Sequence, residues 1–72
     1  GPTPEERAAM RASQELMRRR WWAVSAGQGT PAGEAVSAAA IRLRRAGWTP
    51  PGVVAELERL DREHPGWADR GI

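Results

Sequence analysis

Seventy-two residues with a net charge of +2 and no cysteine describe one small domain, which removes only about 60% of its unfolded surface from water and has neither a disulfide nor a thiolate zinc site to brace it. No apolar run approaches the roughly 20 residues that cross a bilayer, so the expectation is a cytoplasmic chain in a reducing interior, with no membrane partner. All eleven basic residues are arginine; residues 1–27 and 28–48 each carry a net charge of +2 and residues 49–72 a net charge of −2, an asymmetry that suits an anionic partner or holds the segments to one another.

Gly1 and Pro2 read as the scar of a protease site, which leaves residues 3–72 as a single helical domain. Each of the three threonines precedes a proline, at Thr3-Pro4, Thr30-Pro31 and Thr49-Pro50. A threonine hydroxyl caps orphan N–H groups, and a proline in the first turn has no N–H to leave unpaired. Three helices follow from the three starts.

The first is expected over about residues 4–25. Glu5 and Glu6 fall at the positive end of its dipole, with Glu6 at the capping-box position. Met10, Leu16, Met17, Trp21 and Val24 form one broad apolar stripe, strongest at 10, 17, 21 and 24, with Arg7, Arg11 and Arg18 outside it. Ser25 to Gly29, with Gly27 and Gly29 about Gln28, is a turn.

The second helix spans about residues 31–46 and stops at Gly47, which takes the left-handed conformation that closes a helix. Val36, Ala39, Ala40 and Leu43 share its apolar face, the alanines permit close approach, and Ile41 lies well round the barrel and needs a second contact. The third, about residues 51–63, places Val53, Leu57, Leu60 and His64 on one line widened by Val54, and Pro65 with Gly66 ends it. Trp48 is read as a plug over the bundle mouth; Trp67 and Ile72 either fold back and pack over the bundle or begin a longer segment, and an exposed Trp48 and Trp67 would instead mark a partner surface. No alternating β-branched run predicts a strand. The fold class is therefore all-α, a small three-helix bundle.

Chemistry is sparse. Arg18, Arg19 and Arg20 followed by Trp21 and Trp22 combine phosphate-binding guanidiniums with an indole that stacks on an unpaired base, so Arg18, Arg19, Arg20 and Trp22 are nucleic-acid-binding candidates. The bland alternative is that adjacent indoles lie about 100° apart on a helix, one in the core and the other beneath an arginine stem. Arg42, Arg44 and Arg45, beside a Gly-Trp-Thr-Pro turn, form the second basic candidate group, against the commoner reading of a solvated face. The set Glu56, Glu58, Asp61 and Glu63 alternates with arginines and reads as a solubilising face. His64 stands alone without a nucleophile or a second metal ligand, and no phosphate-binding loop, hydrolytic triad or cofactor motif is present. The expectation is a chain without catalytic activity, metal or cofactor.

Residues 33–65, GEAVSAAAIRLRRAGWTPPGVVAELERLDREHP, carry Leu43, Ala46, Gly47, Val54, Leu57, Leu60 and Pro65 in a helix, turn, helix and proline tail. This pattern resembles the C-terminal helical accessory domains of phage and plasmid primase-polymerases, although Glu34 to Ser37 stand where those domains often carry Arg and Asn. The resemblance implies a replication accessory that contacts DNA or the initiating nucleotide. Two functions are thus expected: a nucleic-acid-associated domain gripping phosphates through its central arginines, or a protein-interaction module, docking domain or small regulator, using the acidic third helix, Ile41 or an exposed Trp67 to meet a larger protein.

Overall fold

The computed structural model describes residues 1–67 and contains three helices, α1 (Pro4–Ala23), α2 (Pro31–Ala46) and α3 (Pro50–Glu63), joined by the connections 24–30 and 47–49. Every pair of helices is in contact, and no strand occurs among the described residues. Ile72, expected to pack over the bundle, lies outside them.

The helix starts have one cause. A residue before proline is pushed into extended geometry, which is also the geometry an N-cap needs. Thr3, Thr30 and Thr49 have ψ of 164°, 153° and 147°, and their hydroxyls accept from the N–H groups of Glu6, Gly33 and Gly52. At α1 the Glu6 side chain also accepts from the Thr3 N–H, completing the capping box. Since Thr49 is the cap, α3 begins at Pro50, one residue ahead of the expected start.

The stops differ. Helix α1 ends at Ala23 because the Ser25 hydroxyl donates to the Trp21 carbonyl at 2.8 Å, while the Gly27 N–H takes the Trp22 carbonyl at 2.8 Å. Gly47, at φ 88°, closes α2 in a Schellman arrangement: its N–H donates to Arg44 and that of Trp48 donates to Leu43 at 2.8 Å. Pro65 keeps His64 out of helical geometry, at ψ 63°.

Close backbone approach seats α2 on the first connection. A Cβ on Gly33 would stand 2.1 Å from the Gly27 carbonyl oxygen, and one on Gly27 would stand 2.7 Å from the Trp22 ring. The core gathers Leu16 from α1, Val36, Ala39 and Leu43 from α2, and Val53 and Leu60 from α3, with Ala12 and Ala23 between them. Each buried leucine contributes on the order of 2 kcal/mol. The faces expected for α2 and α3 pack inward, with Val54, Leu57 and His64 half-buried, and Ile41, set round from the inward face of α2, is exposed.

Helix α1 departs from expectation. Leu16 is buried, but Met10, Met17, Trp21 and Val24 are 56%, 52%, 72% and 64% exposed. The inward face is instead Ala9, Ala12, Leu16, Arg19 and Ala23. Its small side chains let α1 lie close to the alanines of α2, whereas a Met and Trp face would hold the two helices apart.

Candidate interaction surface and arginine clusters

Met10, Met17 and Trp21 of α1, and Val24 at its C-cap, are turned outward on one side of the helix. Met17 and Trp21 line one shallow depression with Ser13, Gln14 and Arg18, and another with Arg20 and Val24. Ser13 and Gln14 continue into a third depression, shared with Met10, Trp48, Pro50 and Val53. The three depressions follow one another as a shallow, discontinuous groove on the outer face of α1, walled by the α2–α3 turn only at the Met10 end and edged by Glu6, Arg18 and Arg20. Monomers expose single apolar side chains routinely, but a line of them with a tryptophan three-quarters in solvent and a polar rim has the make-up of a contact surface.

Trp48 belongs to this surface rather than to the bundle mouth. It is 38% exposed, it sits in the left-handed region at φ 54°, and the Arg20 guanidinium carbon lies 5.8 Å from its ring centroid. Such a backbone is uncommon for an aromatic residue. The Gly47 closure imposes it, and it turns the indole toward Met10.

Trp67 is the plug. It is 8% exposed, meets Trp22 edge to face at 5.1 Å, and has the Arg18 and Arg19 guanidiniums 5.1 and 4.8 Å from its centroid. An interaction surface built on an exposed Trp67 is therefore excluded. Trp22 is half-buried against the core and under Trp67, with its Nε1 buried and without an acceptor among the described residues. Its ring is covered on the side a base would need.

The six central arginines divide. Arg19 is 6% exposed and bound at both ends, to Glu15 at 2.9 Å and Asp61 at 2.7 Å. Arg18 holds both oxygens of Glu15, at 3.0 and 3.1 Å. Arg42 makes a two-pronged pair with Glu56 of α3, at 2.7 and 2.8 Å, the fork geometry that guanidinium and carboxylate favour. Arg20, half-buried, leans over Trp48. Only Arg44 and Arg45 are exposed and without a carboxylate partner among the described residues.

The acids respond to these pairings. Burial pushes the Glu15 carboxyl up, but the hydrogen bonds and charges of Arg19 and Arg18 together outweigh it and leave Glu15 below the usual carboxylate range. The hydrogen bonds from Arg42 hold Glu56 low against its partial burial, and Glu56 in turn raises Arg42. Glu56 also has Arg59 at 4.0 Å. Two of the four acids read as a solubilising face of α3 thus bind arginines of other helices. Glu15 was legible in advance, since it precedes Arg18 and Arg19 by three and four residues; the pairs across helices carry no such local signal.

Among the described residues no three of His, Cys, Asp and Glu come together as a metal site, and no helix is long and apolar enough to cross a membrane. No family model, curated protein or solved structure matches the chain.

Proposed function

We propose that the chain is a noncatalytic protein-interaction module whose binding face is the outer side of α1. The observation that carries this reading is the exposure of Met10, Met17, Trp21 and Val24 along one helix face while the opposite face of the same helix fills the core. The inward side of α1 is covered by α2 and α3, whereas the apolar outer side has no neighbouring helix among the described residues. The neighbour it takes is a helix laid in the groove with apolar side chains at i, i+3, i+4 and i+7 spacing. A cytoplasmic partner suits a chain without cysteine.

A second reading, the replication accessory that the primase-polymerase resemblance implies, draws on Arg44 and Arg45, exposed and without carboxylate partners among the described residues in the last turn of α2, with Arg20 and Trp48 near the same turn. It leaves out Arg19, Trp22 and, without rearrangement, Arg18 and Arg42, so only part of the expected phosphate-binding set supports it.

One pair of titrations separates the two. A fluorescein-labelled amphipathic helical peptide with a leucine-rich face is expected to bind the chain saturably, and the Trp21→Glu variant is expected to weaken it at least tenfold. Labelled single- and double-stranded oligonucleotides are expected to show no binding at low salt. Binding of the oligonucleotides that weakens with salt and with Arg44→Glu plus Arg45→Glu, together with no peptide binding, would overturn the proposal.

A further inference from the structure

We infer that the occupant of the α1 groove is a second copy of this chain, its own α1 running antiparallel across the first; the inference rests on the docking reading and names its partner. The first support is periodicity. Met10, Met17 and the C-cap Val24 are spaced by sevens, and Arg7, Gln14 and Trp21, also spaced by sevens, alternate with them, so the six form two rows at heptad spacing, one apolar and one that carries Arg7 and Gln14 beside Trp21. All six are exposed. A seam of this kind packs against another of the same kind, and α1 is the only described helix that turns one outward, since the apolar rows of α2 and α3 are spent on the core.

Charge sets the direction. Parallel copies would set Arg7 against the Arg7 of the other copy within the seam and align the two macrodipoles, whereas antiparallel copies place each Arg7 beside an apolar side chain and oppose the macrodipoles. In the antiparallel register that keeps the two rows interleaved, Arg7 faces Val24, Met10 faces Trp21 and Gln14 faces Met17, each pair occurring twice about the two-fold axis.

Area is adequate. The exposed parts of Met10, Met17, Trp21 and Val24 amount to roughly 550 Å² in each copy, and the flanking Arg7, Gln14 and Arg20 bring this toward the ~800 Å² that a stable interface takes from each partner. Gln14 near the axis is a polar group within the seam, the kind of residue that fixes register rather than strength.

Sedimentation equilibrium from micromolar to millimolar chain, with the wild type beside Trp21→Glu, tests the pairing. The wild type is expected to rise to twice the monomer mass, and Trp21→Glu to remain monomeric with an unchanged helical circular dichroism spectrum. Direction is read by cross-linking, which the absence of native cysteine makes clean. Arg7→Cys mixed with Val24→Cys is expected to give a covalent dimer with a short bismaleimide, and Arg7→Cys alone is expected to give none. A wild type that stays monomeric at the highest concentration, or an Arg7→Cys variant that cross-links to itself, overturns the inference. If the monomer still binds the amphipathic peptide, the groove remains a docking site for another helix and self-pairing alone has failed; if it binds neither, both have.

Discussion

The guanidinium carbon of Arg19 lies 4.8 Å from the centroid of the Trp67 ring, and the same side chain reaches Glu15 on its own helix and Asp61 on α3. One buried cation thus ties α1 to α3 and carries the residue that roofs them. Trp67→Ala is expected to lower stability by about 3 kcal/mol through lost burial, and Arg19→Ala by about 2 kcal/mol through lost packing and the freed carboxylates. The double variant is expected to cost about 1 kcal/mol less than the two separate losses together, which urea unfolding of all four proteins measures. Full additivity would mean that the cation and the ring do not act as a pair.

The Arg42–Glu56 fork fixes the sign of an acid dependence. Glu56 and Glu15 titrate below the ordinary carboxylate value of 4.5 in the folded chain. Their stabilisation is therefore complete above that value and is lost as pH falls through the depressed folded values. Thermal midpoints are expected to be level from pH 7 to about pH 5 and to drop below it. In Glu56→Gln the drop becomes shallower, because one of the two linked protons is gone. An unchanged slope would assign the acid sensitivity elsewhere.

Leu16 and Met17 are neighbours in sequence and opposites in structure. Leu16→Ala is expected to cost about 3 kcal/mol, as a buried leucine does, whereas Met17→Glu is expected to stay within about 0.5 kcal/mol of the parent. Denaturant unfolding measured well below any association concentration decides it. A large loss from Met17→Glu would place the outer row of α1 in the interior.

Gly33 has no room for a methyl group, since its Cβ would meet backbone at 2.1 Å. Although alanine is the better helix former, Gly33→Ala is expected to destabilise by about 2 kcal/mol or more, because the carbonyl of Gly27 must retreat and the Thr30 cap with it. Thermal denaturation of this single variant checks the point; a rise in midpoint would show that the first connection yields freely.

How much was legible follows from where each signal resides. The helix starts were written in the threonine-proline pairs, the α2 stop in Gly47, and the inward faces of α2 and α3 in the spacing of Val36, Ala39 and Leu43 and of Val53, Val54, Leu57 and Leu60, because each of these is a local property of a few residues. The inward face of α1 was not. Hydropathy weights Met10, Met17 and Trp21 above Ala9, Ala12 and Ala23, yet the distance between helix axes rewards the smaller set. Arginine pairing was misread for a related reason: the three guanidiniums of residues 18–20 look equivalent in a row, and only the third dimension shows Arg19 turned inward to Asp61 while Arg20 leans over an indole. Trp48 was misplaced and Trp67 left open because both follow a glycine at a helix end, and the sequence does not say on which side of the bundle the chain emerges.

An interior lined largely by alanine leaves a mark on bulk thermodynamics. Such a chain hides little hydrocarbon, so its heat-capacity increment should fall below the ~0.9 kcal/mol/K expected for its length, and its urea dependence should lie near the low end of about 1–3 kcal/mol/M. Melting should accordingly be broad, with a gradual approach to the midpoint.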